Sequence, residues 1–305
     1  MSTLERIMDL RPRRVMHIGV GSGVTVSALA PLCDELWAGD PSADTIAALR
    51  SWLCRDPEVA GRVELKVYHA FSLDALPFEH FDTVVVNASA LGLSNEHAVL
   101  CLLHAVMPKL ADRGAVYFTG LGNPRLLAYR NAVSRGSAGV RVPPIDPAFF
   151  AGLRTDVRGL SAVDVRLPRG SLQNPLARDR YDAVLYKQPV EPLPLAQVPT
   201  LRWHREVIDL AGMAALLGGP APDRVRVVGV PDRWLLGVAR TGRSRAACGV
   251  DPLEAVHLGE RLGYRVLVTW SSSAVDHKVD LLFLHRQSAD GHEPVELYQP
   301  AGGAR

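Results

Sequence analysis

The first 120 residues alternate between short apolar runs and stretches with helical periodicity. The apolar runs are rich in β-branched residues, and the run over 81–89 is continuously apolar in its centre, which is typical of a strand buried on both faces. Such strands, separated by helices, predict a parallel sheet covered on both sides. The predicted strands are RRVMHIGV (13–20), ELWAGD (35–40), VELKVYHA (63–70), FDTVVVNAS (81–89) and AVYFTG (115–120).

The stretches between these strands predict helices. Ser42 stands directly before an apolar-periodic run and is a candidate N-cap. Gly114 is expected to end the helical pattern before the fifth strand. The predicted helices are TVSALAPLC (25–33), SADTIAALRSWL (42–53) and EHAVLCLLHAVMPKLA (96–111).

The pattern changes after residue 120 and predicts additional parts. A helix is expected over 123–135, followed by strands over 161–170 and 179–188. The segment 188–199 is proline-rich and reads as an extended connector between a first domain, 1–189, and a further α/β set over 200–286. Residues 287–305 are expected to form a loose tail. The predicted fold class is therefore α/β, a doubly wound sheet with an added C-terminal α/β segment.

Composition excludes several classes of function. The net charge is +2, and no run of basic residues indicates a nucleic-acid partner. No apolar stretch reaches the length of a membrane span or of a signal peptide's core, so neither is expected. The four cysteines lack metal-ligand spacing and are expected to be reduced thiols of a cytoplasmic protein with no metal site.

Three glycines directly follow the first predicted strand. Gly19, Gly21 and Gly23 allow the backbone to approach a ligand, and the helix that follows presents N–H groups to an anion. Asp40 ends the second strand, 17 residues past Gly23, where an acid can accept the two hydroxyls of a ribose. The alternative is structural: glycines that allow a tight helix–strand contact, with Asp40 capping the next helix.

At these residues the sequence resembles the class I S-adenosylmethionine-dependent methyltransferases, whose first motif reads roughly hydrophobic–Glu–hydrophobic–GxGxG. Over most of residues 14–286 it is more closely similar to the methyltransferase domains embedded in nonribosomal peptide synthetases. The most specific segments are NPLARDRYDAVL (174–185) and DPLEAVHLGERLGYRV (251–266). No adenylation or carrier segment is recognised, so the chain is expected to be free-standing. The resemblance implies a Rossmann-like sheet and S-adenosylmethionine as the cofactor.

The resemblance also implies roles for individual residues. The helix start after Gly23 would hold the methionine carboxylate of the cofactor, and Asp40 would bind its ribose. Asn87, at the end of the fourth strand, would line the methyl-transfer site. In place of an acid that contacts adenine, Phe71 would stack on the ring and Ser72 would meet its edge.

Three positions depart from the family pattern, and all three fall in the predicted site. His17 stands where the family usually has an acid that supports the cofactor's ammonium group. A neutral histidine accepts one hydrogen bond, whereas a protonated one repels an ammonium. The alternative is a strand histidine with its own partner. Phe71 replaces the adenine-binding acid, and Leu121 replaces a further acid.

The predicted reaction is methyl transfer to a natural-product small molecule of peptide or aminoacyl type, free or bound to a carrier protein. A base is needed only if the acceptor must lose a proton, and Tyr129, His104 and Asp146 are the candidates. One alternative reaction attacks a different carbon of the cofactor, by aminoalkyl transfer or cyclisation, and releases methylthioadenosine. Another alternative is a non-catalytic partner protein. The sequence carries no signal for oligomeric state.

Overall fold

The computed structural model describes residues 3–67, 73, 76–126, 131, 142–174, 177–187, 198–239, 249–271, 277–288 and 295–300. Strands and helices are numbered along the chain over these residues. The strands are β1 (Arg14–Ile18), β2 (Glu35–Asp40), β3 (Val63–Val67), β4 (Phe81–Asn87), β5 (Leu110–Gly122), β6 (Leu160–Arg166), β7 (Arg180–Lys187), β8 (Thr200–Arg202), β9 (Arg224–Pro231), β10 (Tyr264–Trp270) and β11 (Lys278–His285). The helices are α1 (Thr3–Asp9), α2 (Val24–Leu29), α3 (Ala43–Leu53), α4 (Pro57–Ala60), α5 (Ala88–Leu91), α6 (Glu96–Val106), α7 (Pro147–Asp156), α8 (Arg169–Gln173), α9 (Leu210–Gly218), α10 (Arg233–Ala239) and α11 (Pro252–Arg261).

Seven of the described strands form one sheet in the order β3-β2-β1-β4-β5-β7-β6. The pairs among β1 to β5 are parallel, and β7 is antiparallel to both β5 and β6. The carboxyl ends of the parallel strands therefore meet at one edge, which also holds the start of β7 and the end of β6. The order reverses between β1 and β4, and in open sheets of this type a ligand binds at such a point.

The residues of β4 show how the chain fills both faces of this sheet. Val84 and Val86 pack towards α6 and α7, whereas Val85 packs towards α2 and α3. Successive side chains of a strand point to opposite faces, so a run of valines suits a strand covered on both sides. The predicted α/β fold class is confirmed, and Ser42 caps α3 by accepting a hydrogen bond from the Thr45 amide at 3.2 Å.

Some predicted element boundaries are wrong around β5. The helix predicted to run to residue 111 ends at Val106, because Pro108 has no amide hydrogen to continue it and a short 3-10 turn follows. Gly114 lies inside β5 rather than before it. A Cβ there would come within 2.9 Å of the Asp82 carbonyl oxygen, so only glycine fits. The helix predicted over 123–135 begins as a 3-10 turn at Pro124–Leu126, and most of its remainder lies outside the described residues.

The C-terminal segment forms a second sheet in the order β10-β11-β9-β8 over the described residues. Hydrogen bonds join it to the first sheet, from the Leu167 amide to the Val268 carbonyl at 2.9 Å and from Thr269 Oγ1 to the Val165 carbonyl at 2.7 Å. Helix α11 packs on β10 of its own sheet at Gly259, where a Cβ would lie 2.4 Å from Val266 Cγ2.

The end of the chain differs from the expected loose tail within its described part. Val295, Leu297 and Tyr298 are buried, and the Glu296 amide donates to the Val163 carbonyl on β6 at 3.0 Å. Three apolar side chains in one short segment bury enough surface to hold it against the domain. The prediction of a loose tail over 287–305 is therefore wrong for residues 295–300. The connector over 188–199 lies almost entirely outside the described residues.

Candidate functional site

The three glycines after β1 form a turn that other residues could not adopt without strain. Gly19, Gly21 and Gly23 have φ angles of 80°, 56° and 78°. A Cβ on Gly19 would lie 2.9 Å from the carbonyl oxygen of Asn87. The turn therefore needs glycine both for its left-handed backbone and for its close approach to the end of β4.

Asp40 ties this turn to the end of β2. Its carboxylate accepts hydrogen bonds from the Gly21 amide at 3.0 Å and from the Ser42 amide at 2.9 Å. The side chain is almost fully buried. An ionised carboxylate has about four acceptor positions, so two remain after these contacts. Asp40 both stabilises the glycine turn and keeps capacity to accept hydroxyl groups.

His17 lies on β1 directly below the turn and is 1% exposed. Neither ring nitrogen has a hydrogen-bond partner among the described residues. Burial lowers the pKa of His17 to about 4, although the negative charge of Asp40 acts in the opposite direction. The imidazole is therefore neutral near pH 7. No described residue supplies the partner that the alternative of a strand histidine with its own partner requires, so the role of His17 at the cofactor stays a prediction. A neutral imidazole has one nitrogen that can accept a hydrogen bond from a ligand.

Asn87 ends β4 and lies beside the end of β1 and Gly120 of β5. Its Oδ1 accepts a hydrogen bond from the Ala90 amide at 3.2 Å and caps the short helix α5. A Cβ on Gly21 would lie 3.5 Å from Asn87 Nδ2, and a Cβ on Gly120 of β5 would lie 3.2 Å from Asn87 Oδ1. The structure thus brings His17, the glycine turn, Asp40 and Asn87 together at the carboxyl edge, where the strand order reverses.

The other predicted residues fall elsewhere. Phe71, Ser72 and Tyr129 lie outside the described residues. Leu121 is a residue of β5 itself and is fully buried in the core.

His104 is exposed in the last turn of α6, which returns the chain to the edge of the sheet opposite the glycine turn. Asp146 caps α7 by accepting from the Ala148 amide at 2.9 Å, and its other oxygen pairs with Arg125 Nε at 2.9 Å. The structure therefore does not bring His104 to the glycine turn. Asp146 has a cap and an ion pair to account for its carboxylate, so its role as a base stays a prediction.

A cleft that sequence reasoning missed lies beside the glycine turn. It has a volume of about 430 Å³ and runs between α1 and α2 over the adjoining ends of β5 and β7. Asp182 is its buried acid, at 2% exposure. The sequence signal for this cleft was Asp182, a charged residue inside the otherwise apolar segment YDAVLY. The polar residues that line the cleft are Thr3, Thr25, Thr119, Ser171, Arg180 and Asp182.

Hydrogen bonds hold the Asp182 carboxylate in place. Tyr117 donates its hydroxyl to Oδ2 at 2.5 Å, and Thr3 Oγ1 donates to the same oxygen at 3.2 Å. Burial raises the pKa of Asp182 above its usual value, while the positive charge of Arg6 acts in the opposite direction. Arg6 itself donates to Asp164 on β6 at 2.7 Å, so α1 is anchored over this face of the sheet.

A second cleft, of about 840 Å³, borders the outer side of the glycine turn between α2 and α3. Val24 and Ala28 of α2 line both clefts. Among the described residues, no group of three or more His, Cys, Asp or Glu side chains could hold a metal ion. Within the same part of the chain, every helix is too short or too polar to cross a membrane.

Among known proteins, the chain is similar in sequence to nonribosomal peptide synthetases and in structure to methyltransferases. No protein-family profile matches the chain. It is 29% identical over 315 residues to a probable non-canonical nonribosomal peptide synthetase, CymA of Salinispora arenicola. The matched region covers 98% of this chain and 4% of that protein. It is 28% identical over 203 residues to chondramide synthase cmdD of Chondromyces crocatus, covering 60% of this chain and 5% of that protein. The chain therefore spans about a twentieth of the length of these relatives.

Solved structures of methyltransferases are also similar. The N-methyltransferase NodS from Bradyrhizobium japonicum, in complex with S-adenosyl-L-homocysteine, is 17% identical with a TM-score of 0.43, covering 61% of this chain and 86% of that one. The S-adenosylmethionine-dependent methyltransferase SibL is 19% identical with a TM-score of 0.46. The match covers 61% of this chain and 53% of SibL. The strand order β3-β2-β1-β4-β5-β7-β6 defines the fold.

Proposed function

We propose that this chain is an S-adenosylmethionine-dependent methyltransferase that acts on a small natural-product intermediate of peptide or aminoacyl type, free or carrier-bound. The observation that carries the proposal is the meeting of His17, the glycine turn, Asp40 and Asn87 at the point where the strand order reverses. Similarity to nonribosomal peptide synthetases along 98% of the chain supports the substrate class.

The residues present fit this cofactor. The unpartnered nitrogens of His17 and the free acceptor positions of Asp40 are polar groups placed beside a turn that a Cβ would obstruct. Asp40 would bind ribose hydroxyls, the glycine turn would leave space for the methionine portion, and neutral His17 would accept a hydrogen bond from its ammonium group. When bound, S-adenosylmethionine supplies a methyl group activated by the neighbouring sulfonium.

The chain's own contribution is then mainly alignment. Asn87 and Gly120 place the ends of β4 and β5 side by side, so donor and acceptor would meet over them. Holding two reactants in one geometry removes a large part of the entropic barrier, on the order of 7–11 kcal/mol in the best cases.

A second candidate function is favoured by the neutral state of His17. An acid at this position would attract the cofactor's ammonium, whereas a neutral imidazole only accepts a hydrogen bond. A weaker hold on the aminoalkyl end suits a reaction that uses that end and releases methylthioadenosine.

One experiment tests both candidates. The protein is incubated with S-adenosylmethionine and free or carrier-bound aminoacyl acceptors, and the products are followed by mass spectrometry. We expect a methylated acceptor and an equal amount of S-adenosylhomocysteine. Release of methylthioadenosine would favour the second candidate. A folded protein that shows no calorimetric binding of S-adenosylhomocysteine would contradict both and favour a non-catalytic partner.

A further inference from the structure

The cleft between α1 and α2 adjoins the proposed cofactor residues. Gly120 lines the cleft, and a Cβ on it would lie 3.2 Å from Asn87 Oδ1. Val24, the first residue of α2 after the glycine turn, lines the same cleft. A molecule bound in this cleft would therefore reach the ends of β4 and β5 from the side of α1.

Two opposite charges from one strand line this cleft. Arg180 and Asp182 are two residues apart on β7, so their side chains point to the same face, with Cα atoms about 7 Å apart. Asp182 is 2% exposed and is held by hydrogen bonds from Tyr117 and Thr3. Arg180 forms no ion pair with any described residue, and its buried Nε has no hydrogen-bond partner there.

This pairing of charges defines a ligand chemistry. A carboxylate accepts hydrogen bonds from an ammonium group, and a guanidinium donates to a carboxylate in a matching fork. A free α-amino acid carries both groups on one carbon. A thioester-bound aminoacyl group carries the amine but lacks the negative carboxylate that Arg180 would bind.

We propose that this cleft receives a free α-amino acid as the methyl acceptor, with Asp182 contacting its amine and Arg180 binding its carboxylate. The inference rests on the proposed function and deepens it. Asp182 takes one proton from the ammonium and leaves a neutral amine with a free lone pair. That lone pair forms the new N–C bond, the C–S bond of the donor breaks with its electron pair on sulfur, and Asp182 later returns the proton to solvent.

The structural setting of Asp182 supports this role. Burial raises the pKa of its carboxyl group, which makes it a better proton acceptor than an exposed aspartate. The groups that face it are Arg6, Tyr117, Thr119 and Thr3, and the hydroxyls among them fix the orientation of the carboxylate. Asp182 would therefore be a catalytic residue, and Arg180 would determine specificity.

The test compares matched probes. The proteinogenic L-amino acids, their methyl esters and their N-acetyl derivatives are each incubated with S-adenosylmethionine, and N-methylated product is quantified by mass spectrometry. We expect at least one free amino acid to be methylated, at a rate at least 10-fold above that of its methyl ester and with no product from its N-acetyl form. Arg180→Gln should remove the preference for the free acid over the ester. Arg158→Gln, on an exposed turn, should keep it.

Substitution of Asp182 tests the amine contact. Asp182→Asn should lower turnover at least 100-fold and leave the calorimetric affinity for S-adenosylhomocysteine within twofold of wild type. Asp280→Asn is the matched control, because Asp280 is 3% exposed and pairs with Arg226 at 2.7 Å in the second sheet. The control should lose stability, because Arg226 is left without its partner, but the folded protein should keep normal turnover.

A second variant tests the same cleft without depending on whether Asp182→Asn folds. Thr25 is partly exposed on α2 and lines this cleft but not the one on the α3 side. Thr25→Phe should raise KM for the amino acid at least 10-fold with S-adenosylhomocysteine affinity retained, whereas Thr155→Phe on the exposed face of α7 should have no effect.

The outcomes separate the two proposals. Equal methylation of acid and ester, no product from any free amino acid, or full turnover in Asp182→Asn or Thr25→Phe would overturn the assignment of this cleft. Those results leave the methyltransferase proposal intact if S-adenosylhomocysteine binds and carrier-bound acceptors are methylated. Absence of S-adenosylhomocysteine binding by the folded wild type would instead remove the proposed function itself.

Discussion

His17 and Asp40 lie on the same face of two adjacent parallel strands, yet the burial of His17 outweighs the negative charge of Asp40. The imidazole consequently stays neutral down to a pKa of about 4 instead of titrating near 6.5. At physiological pH this position acts as an uncharged hydrogen-bonding group below the glycine turn. The family resemblance in the sequence implies an acid at this position, whereas His17 places an uncharged group there.

The first prediction concerns the pH dependence of stability. An unfolded histidine binds a proton near pH 6.5, whereas buried His17 does so only near 4, so the unfolded state binds more protons between these values. Its contribution is complete above pH 6.5 and is lost as the pH falls to 4, by up to about 3 kcal/mol. Chemical denaturation at a series of pH values measures this.

His17→Gln should lack that part of the pH dependence, and the difference between its profile and that of wild type should be confined to this window. His104→Gln is the control, because His104 is exposed on α6. Parallel profiles for wild type and His17→Gln would show that His17 is accessible to protons in the folded protein.

The second prediction concerns Asp40. Asp40→Ala removes the charged group proposed to accept two ribose hydroxyls and should weaken binding of S-adenosylhomocysteine by roughly 1.5–3 kcal/mol, or about 10- to 150-fold in Kd. Isothermal titration calorimetry measures the affinity, and thermal unfolding checks that the glycine turn persists. Asp156→Ala, exposed at the end of α7, should bind normally. Unchanged affinity in Asp40→Ala would remove Asp40 from the cofactor site.

The third prediction concerns Gly19. Gly19→Ala places a Cβ at positive φ and 2.9 Å from the Asn87 carbonyl oxygen. The backbone strain alone costs about 1–2 kcal/mol, and the contact adds to it because a carbonyl of the main chain cannot move aside cheaply. A lower midpoint in thermal unfolding and weaker cofactor binding are expected.

Gly152→Ala is the matched control for that substitution. Gly152 lies within α7, and a Cβ there would meet no atom within 4 Å. Alanine should raise stability by about 0.5–1 kcal/mol at a helical position of this kind. A Gly19→Ala protein as stable as wild type would mean that the turn adopts another conformation.

The fourth prediction concerns the junction of the two sheets. Arg178 is 3% exposed and pairs with buried Asp232 at 2.9 Å and with Asp251 at 3.2 Å. Arg178→Met leaves a buried carboxylate without its partner and should destabilise the protein by about 3–5 kcal/mol, measured by denaturant unfolding.

Arg169→Met is the control at the same junction. Arg169 pairs with Glu260 at 2.9 Å, but both side chains are about 30% exposed, so solvent screens the pair. Its loss should cost no more than about 1 kcal/mol. Equal effects of the two substitutions would show that burial does not set the strength of the Arg178 contact.

The sequence alone was enough to predict the first half of the large sheet and the place of the glycine turn. The valines of β4 and the glycines after β1 carry their information locally, because burial on both faces and positive φ each restrict the residue type at a single position. The N-cap Ser42 is local in the same way. The expected meeting of Gly19, Asp40 and Asn87 follows from strand order, since parallel strands end at a common edge.

Only the tertiary structure decided what depends on residues far apart in the chain. The cleft at Asp182 needs α1, α2, β5 and β7 together, and no local pattern connects Thr3 with residue 182. The burial of the segment at Val295 depends likewise on the apolar surface that β6 offers. The protonation of His17 is decided by the water excluded around it, and solvent exclusion is a property of the packed molecule rather than of any stretch of sequence.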